Sequence, residues 1–158
     1  MQTKRSLAHG AHNREARAAA KAALARPPVV WTGEQARVAA QGFADYATKN
    51  HRRVYAAAVM PDHAHLVVAR DADIRVEMLA DLFKGRATAF LKKAGLHPFA
   101  DQAYRNGRLP SPWARKAWSV FLDSPADVAR AVRYVEQNPV RAGLRPQRYR
   151  FLTACPYV

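Results

Sequence analysis

The sequence predicts an α+β domain in which helices pack on one face of an antiparallel sheet. Its 158 residues suit one domain of roughly 100 to 200 residues, and the 49% of apolar residues are enough to form a core. Apolar residues recur with the period of a strand in some segments and with that of a helix in others. These segments follow in the order β, α, β, β, α, β, α, which is typical of a ferredoxin-like fold and of RNA-recognition modules.

The first two elements are a short strand and a capped helix. Residues 29–32 are β-branched and aromatic, a composition that favours a strand. Thr32 and Gln35 have the spacing of a capping box, in which each side chain binds the backbone N–H of the other residue. We therefore expect a helix to begin after Thr32 and to reach about Lys49.

A hairpin and a long amphipathic helix should follow. Residues 53–60 and 64–70 form two further strands, with Pro61 and Asp62 marking the turn between them. The next helix is expected over residues 75–94, because its apolar residues recur every three or four positions. That apolar face consists of Met78, Leu79, Leu82, Phe83, Ala87, Phe90 and Leu91.

The last third of the chain adds one strand and one helix. Residues 95–112 are rich in Gly, Pro and Asn and are expected to form a loop. Residues 113–122 predict a strand with Trp118 on its apolar face. Ser124 stands at the cap position of a final helix, which should end before Pro139 because proline cannot continue the backbone hydrogen bonds.

The chain divides into a basic extension, a folded domain and a basic tail. Residues 1–26 are strongly basic and predict a helix from Asn13 to Leu24 that has little apolar surface to bury. This extension is expected either to bind phosphates or to remain solvated. Residues 27–145 form the folded domain, and residues 146–158 form the tail.

The charge of the protein indicates a polyanionic partner. The chain has 26 Lys and Arg residues against 12 Asp and Glu, a formal net charge of +14. Nucleic acid is the expected partner, with general solubility as the alternative explanation. The single cysteine, Cys155, excludes a disulfide framework within the chain. No apolar run approaches the roughly 20 residues that cross a bilayer, and no signal-peptide core stands near the start. We therefore expect a cytoplasmic protein without a membrane partner.

Two histidines form the most informative motif of the chain. Because side chains alternate along a strand, His63 and His65 should project to the same side of the sheet, about 7 Å apart. Ala64 and Leu66 should point the other way, into the core. Paired imidazoles are suitable metal ligands, although such pairs are as often ordinary surface or hydrogen-bonded histidines. Two histidines do not complete a coordination shell, so a further ligand must come from elsewhere.

The final helix offers a phenol and an amide on one face. Tyr134 and Asn138 are four residues apart and therefore share a helix face, beside a stripe of valines that would bury against the sheet. Tyr134 could then lie toward the histidines. Asn138 could supply an amide oxygen to a hard cation, with Gln137 as the neighbouring alternative. The structural alternative is that Tyr134 packs at the helix edge and Asn138 caps the helix end.

Several segments resemble the single-tyrosine HUH transposases, and within them most closely the REP-associated tyrosine transposases. Residues 60–68, MPDHAHLVV, are similar to the His-hydrophobic-His signature of that family, and residues 83–95, FKGRATAFLKKAG, to its following helix. Residues 113–124, WARKAWSVFLDS, and residues 133–144, RYVEQNPVRAGL, are similar to its C-terminal strand and tyrosine helix. The similarity covers roughly three quarters of the chain, residues 29–144.

The resemblance implies a DNA-cleaving and DNA-joining enzyme that acts on single-stranded or hairpin DNA. It implies that Tyr134 is the nucleophile of a 5′-phosphotyrosine intermediate, that His63 and His65 bind a metal, and that Asn138 is the third ligand. The family commonly has Asn where this chain has Asp62, so the role of position 62 stays open.

The resemblance also bears on cofactors and on assembly. Mixed imidazole and oxygen ligands favour Mg²⁺ or Mn²⁺, with zinc as the alternative. A phosphotyrosine conserves the bond energy, so no nucleotide cofactor is expected, and the chain has no phosphate-binding loop motif. Members of the family are often dimers, which allows a homodimer in which Tyr134 serves its own histidines or those of the partner.

Basic and aromatic side chains near these motifs are candidates for DNA contacts. Trp31, Trp113 and Tyr104 could stack on unpaired bases or belong to the core. The basic residues should bind phosphates and make affinity fall with salt, although any one of them could be a solvated surface charge. The candidates are Lys84, Arg86, Lys92, Lys93, Arg105, Arg108, Arg115, Lys116, Arg141 and Arg145.

Three other functions remain as alternatives. A domesticated relative could bind or process repeat hairpins without transposition. A non-catalytic nucleic-acid-binding module could share the fold, but such modules stack bases on strand aromatics, which residues 64–70 lack. A small-molecule metallohydrolase would need more acidic or histidine ligands than the chain offers.

Overall fold

The computed structural model describes residues 28–158, together with the isolated positions Ala19 and Ala22. The predicted basic extension otherwise lies outside the described residues. Between residues 28 and 158 the chain forms three helices and one two-stranded antiparallel sheet. In chain order these are α1 (Gly33–Lys49), β1 (Val54–Val59), β2 (Ala64–Val68), α2 (Val76–Lys93) and α3 (Pro125–Arg141). The predicted α+β class is confirmed.

The start of α1 follows the predicted capping box. Thr32 Oγ1 accepts from the backbone N–H of Gln35 at 3.1 Å, and Gln35 Oε1 accepts from the N–H of Thr32 at 2.9 Å. The strand predicted at residues 29–32 is wrong, because this segment is irregular and its backbone is tied to the hairpin by one bond, from Trp31 N–H to Pro61 O.

The strand β1 is buried on both faces, whereas β2 is mostly half-buried. Val54 and Val59 of β1 pack into a cluster with α1 and α2, whereas Ala56 and Ala58 pack against α3. The prediction of helices on one face is therefore right for α1 and α2 and wrong for α3. The sequence of β1, VYAAAV, is apolar at almost every position, and such a run is typical of a strand covered on both sides.

The helix α2 lies along α1 with part of its apolar face uncovered. Four residues of the predicted face are buried: Leu79, Phe83, Ala87 and Leu91. Met78 and Leu82 are 57% and 41% exposed, because α1 covers only one side of that face. The predicted extent of the helix is correct to within one residue at each end.

The strand predicted at residues 113–122 is also wrong. Trp113 is held in the core instead: its ring centroid lies 5.0 Å from that of Trp31, and its Nε1–H donates to Thr88 at 3.0 Å. Residues 114–121 are exposed and irregular, and Trp118 is 79% exposed. Because two of the four predicted strands are missing from the described residues, the ferredoxin-like sheet is not confirmed.

The helix α3 begins as predicted and ends later. Ser124 Oγ accepts from the N–H of Asp127 at 3.1 Å, which caps the first turn. Pro139 lies inside the helix, two residues before its end, with its ring fully buried. The N–H of Ala142 then donates to the carbonyls of Asn138 and Pro139, so the helical backbone continues past the proline.

Candidate functional site

The two histidines lie side by side on the sheet face that α3 covers. Their ring centroids are 4.7 Å apart and the rings are nearly perpendicular, at 81°. In the strand register His65 pairs with Ala58, which faces α3, while Ala64 and Leu66 pack toward α1 and α2. The alternation predicted for this strand therefore places both imidazoles on the same side.

Asp62 contacts the first histidine of the pair. Its Oδ1 lies 2.6 Å from Nδ1 of His63. A carboxylate only accepts, so this bond requires the proton of the neutral imidazole to be on Nδ1. Nε2 of His63 then keeps its lone pair, which is the arrangement that histidine ligands usually have. The sequence left the role of position 62 open, and the structure shows that Asp62 contacts His63.

Tyr134 extends from α3 toward the histidines. Its ring centroid lies 5.7 Å from that of His65, at an interplanar angle of 78°. The flanking residues Val132 and Val135 are buried against the sheet and fix the helix in place. The ring of Tyr134 thus contacts His65. Because Tyr134 is 38% exposed, it also remains accessible to a ligand.

Asn138 follows Tyr134 by one helical turn. Its Nδ2 is buried and has no hydrogen-bond partner among the described residues. The two ends of an amide are assigned from their contacts, so a turned amide would place Oδ1 at this buried position instead. Gln137 is exposed, and its Oε1 already accepts from Nη2 of Arg141 at 2.8 Å.

The donor set is small. Among the described residues, no group of three or more His, Cys, Asp or Glu side chains could hold a metal ion. Near Tyr134 the described residues offer the imidazoles of His63 and His65, the amide of Asn138 and the carboxylate of Asp62, which is engaged by His63. Such a set leaves positions open for oxygen atoms of a bound phosphate, as a catalytic metal site requires.

One known family matches the greater part of the chain. The family model described as "Transposase IS200 like" matches residues 25–138, well over half of the chain. The chain belongs to the IS200-like transposases. The family predicted from the sequence motifs is thereby confirmed, and DNA is the substrate class. The match includes both histidines, Tyr134 and Asn138. No curated protein and no solved structure matches the chain significantly. The closer resemblance to the REP-associated subgroup stays a prediction.

Two of the transposase's predicted DNA-binding residues, both in α2, make contacts with other segments of the chain. Arg86 forms an ion pair with Asp45 and lies over the ring of Phe90, with its Cζ 5.3 Å from the centroid. The hydrogen bond from Arg86 lowers the pKa of Asp45. Lys84 Nζ donates to the carbonyl of Ala114 at 3.1 Å. Both side chains therefore hold α2 to neighbouring segments, whatever they do with DNA.

The other predicted DNA-binding residues of the transposase lie at the surface, where their ammonium and guanidinium groups can reach phosphates. Those exposed residues are Lys92, Lys93, Arg105, Arg108, Arg115, Lys116, Arg141 and Arg145. The predicted stacking residues separate in the same way. Trp31 is buried and Trp113 half-buried in the core cluster, whereas Tyr104 is 49% exposed.

None of the transposase's described helices is both long and apolar enough to span a membrane.

Proposed function

We propose that this transposase cleaves and rejoins single-stranded or hairpin DNA through a covalent bond between Tyr134 and a 5′ phosphate. The proposal includes a divalent cation, Mg²⁺ or Mn²⁺, held by His63, His65 and Asn138. One observation carries it: the rings of Tyr134, His65 and His63 form a row, with centroid separations of 5.7 Å and 4.7 Å.

The side chains present suit such a cation. Imidazole nitrogen together with amide oxygen is a ligand set that Mn²⁺ and Mg²⁺ accept, and Asp62 holds the tautomer of His63 that leaves Nε2 available. The buried Nδ2 of Asn138 has no partner among the described residues, which is costly unless the amide turns to a ligand. When bound, the cation would neutralise negative charge on the scissile phosphate.

Tyr134 supplies the nucleophile. Its phenol oxygen attacks phosphorus and loses its proton to solvent, forming a P–O bond to the tyrosine. The bond from phosphorus to the 3′ oxygen breaks, and that oxygen leaves as a free 3′-hydroxyl after taking up a proton. Because the number of phosphoester bonds is unchanged, another 3′-hydroxyl can attack the phosphotyrosine and rejoin the strand without a nucleotide cofactor.

The position of Tyr134 supports action within one chain. The tyrosine lies beside the histidines of its own chain, on a helix that packs directly on their sheet. We therefore propose that Tyr134 works in cis. A homodimer of this transposase stays a prediction, and the proposed chemistry does not require it.

The test is covalent capture of labelled DNA. The protein is incubated with 5′-labelled and 3′-labelled hairpin oligonucleotides and Mn²⁺, and adducts are separated on a denaturing gel. Wild type should form an adduct with the label on the 3′ side of the cut, and Tyr134→Phe should form none. Tyr157→Phe removes one hydroxyl from another exposed tyrosine and serves as the matched control. An adduct that persists in Tyr134→Phe would refute the assignment of the nucleophile.

A further inference from the structure

A groove of about 580 Å³ lies between α2 and the loop that follows it. Its volume is within the roughly 300–1,000 Å³ of small-ligand pockets. Gly85 and Thr88 of α2 line one side, and Tyr104, Asn106 and Arg108 line the other. We propose that this groove binds unpaired nucleotides of the DNA substrate, at a site separate from Tyr134 and the histidines. The inference rests on the proposed function for the single-stranded character of the ligand.

The loop side of the groove is a defined turn. The N–H of Tyr104 donates to the carbonyl of Arg108 at 2.8 Å, and the N–H of Gly107 donates back to the carbonyl of Tyr104 at 2.8 Å. Asn106 Oδ1 accepts from the N–H of Arg108 at 3.1 Å. Gly107 has a φ of 75°, a conformation that glycine adopts without strain. These bonds hold Tyr104 and Arg108 at the same end of the turn.

The loop is also fixed to the helix. Trp113 Nε1–H donates to Thr88 Oγ1 at 3.0 Å, and Thr88 Oγ1–H donates to the carbonyl of Lys84 at 2.8 Å. Lys84 Nζ in turn donates to the carbonyl of Ala114 at 3.1 Å. These bonds fix residues 113 and 114, which directly follow the loop side of the groove, to α2, so this end of the groove is held in place before a ligand arrives.

The chemistry of the lining suits a nucleotide. Tyr104 is 49% exposed, and an exposed aromatic ring stacks on bases of any sequence. Arg108 is exposed and can bind a phosphate. The described residues that line this groove include no acid. A second groove, of about 400 Å³, is lined by Arg75 and by two acids, Glu77 and Asp81, so its lining has a net negative charge that suits a phosphate less well. The first groove therefore has the positive lining that a DNA phosphate requires, and the second does not.

Gly85 leaves the helix side of the groove open. A Cβ added at this position would meet nothing within 4 Å. The glycine is exposed in the middle of α2, where it is unfavourable for the helix by about 1 kcal/mol relative to alanine. Any larger side chain at position 85 would thus occupy the groove without disturbing the core, which provides a steric test.

The groove lies on one side of the sheet, and His63, His65 and Tyr134 lie on the other. The helix α2 packs with α1 on one face of the sheet, and α3 with Tyr134 packs on the other. Residues 114–121 are exposed throughout and lead from the end of the groove to the start of α3. They include Arg115, Lys116 and Trp118. A DNA strand held in the groove would follow this basic and aromatic segment toward the cleavage site.

The test measures the affinity for fluorescein-labelled oligothymidylate by anisotropy, at fixed salt and in chelator, so that no cleavage takes place. Tyr104→Ala should raise the Kd roughly 5- to 150-fold, the range for loss of one base stack. Tyr104→Phe, which keeps the aromatic face, should restore most of that affinity. Gly85→Leu should weaken binding by blocking the groove, whereas Gly33→Leu, at an exposed helical glycine with nothing within 4 Å, should not. Thermal unfolding checks that each variant is folded.

A labelled duplex of the same length separates base contacts from charge. Tyr104→Ala and Gly85→Leu should change duplex binding little, because paired bases cannot stack in the groove. Equal losses for duplex and single strand, or an unchanged Kd for oligothymidylate, would overturn the inference. The adduct assay on wild type is independent of this result: no adduct together with the expected Kd pattern would refute the phosphotyrosine and leave the groove assignment standing.

Discussion

Replacing Gly42 by alanine should destabilise the contact between α1 and α2. An added Cβ would lie 2.4 Å from Ala87 Cα, 2.7 Å from Ala87 N and 2.9 Å from Arg86 O. All three atoms belong to the backbone of α2, so no side chain can rotate to make room. The helices would have to separate by about 1 Å to restore ordinary contact distances, at the point where they pack most tightly.

The magnitude follows from two opposing effects. Alanine in a helix interior is favoured over glycine by about 1 kcal/mol, whereas overpacking of a well-packed interface costs about 1–3 kcal/mol and occasionally more. Because the clash is with backbone, we take the upper end of that cost and expect a net loss of about 2 kcal/mol in the free energy of unfolding. In a chain of this size that loss should lower the Tm by about 4–8 °C.

Gly85→Ala is the matched control, since it makes the same change in α2 with nothing within 4 Å of the new Cβ. It should raise the free energy of unfolding by up to about 1 kcal/mol. Both variants are compared with wild type by urea unfolding and by thermal unfolding, followed by circular dichroism. A Gly42→Ala protein as stable as wild type, or more stable, would refute the close approach of the two helices.

Three further changes test the site and its surroundings. Asp62→Ala should reduce Mn²⁺-stimulated cleavage roughly 10- to 100-fold, while Asp62→Asn, which keeps an acceptor for His63 Nδ1–H, should retain most of it; equal rates for the two variants would contradict the role of that hydrogen bond. Mixing Tyr134→Phe with the His63→Ala, His65→Ala double variant should restore no adduct if the tyrosine works in cis, and restored capture would show that it works in trans. Burial lowers the pKa of His97, so the folded protein disfavours the charged imidazole. Its contribution to stability is complete above the unfolded pKa of about 6.5 and is lost as the pH falls below that value, with a slope of at most about 1.4 kcal/mol per pH unit. Urea unfolding at several pH values should show a shallower dependence for His97→Gln, and identical dependences would contradict the assignment.

Features set by neighbouring residues could be predicted from the sequence. The capping box of α1 depends on two side chains three residues apart. The shared direction of His63 and His65 depends on the alternation of a strand, and that of Tyr134 and Asn138 on the turn of a helix. The approach of Tyr134 to the histidines also required α3 to be placed correctly on the sheet, for which the family motifs gave the order but not the geometry.

Features set by distant contacts were missed. Residues 113–122 have the pattern of a strand, but Trp113 is held by Thr88 and by the aromatic cluster, and the following residues find no strand partner among the described residues. Met78 and Leu82 belong to the apolar period of α2 yet lie beyond the reach of α1. The second covered face of β1 could have been read from its run of alanines, which leaves no polar side to face water.

Ala56 and Ala58 determine how closely the tyrosine helix approaches the sheet. Alanine has a short side chain, so α3 can pack closely on β1, and the ring centroid of Tyr134 lies 5.7 Å from that of His65. Valine at either position would push α3 away from β1 and carry Tyr134 away from His65. The opposite face of the same strand, built on Val54 and Val59, can vary without this effect. The two faces of β1 therefore have different roles. The alanine face sets the position of Tyr134 relative to the histidines, and the valine face contributes to the hydrophobic core with α1 and α2.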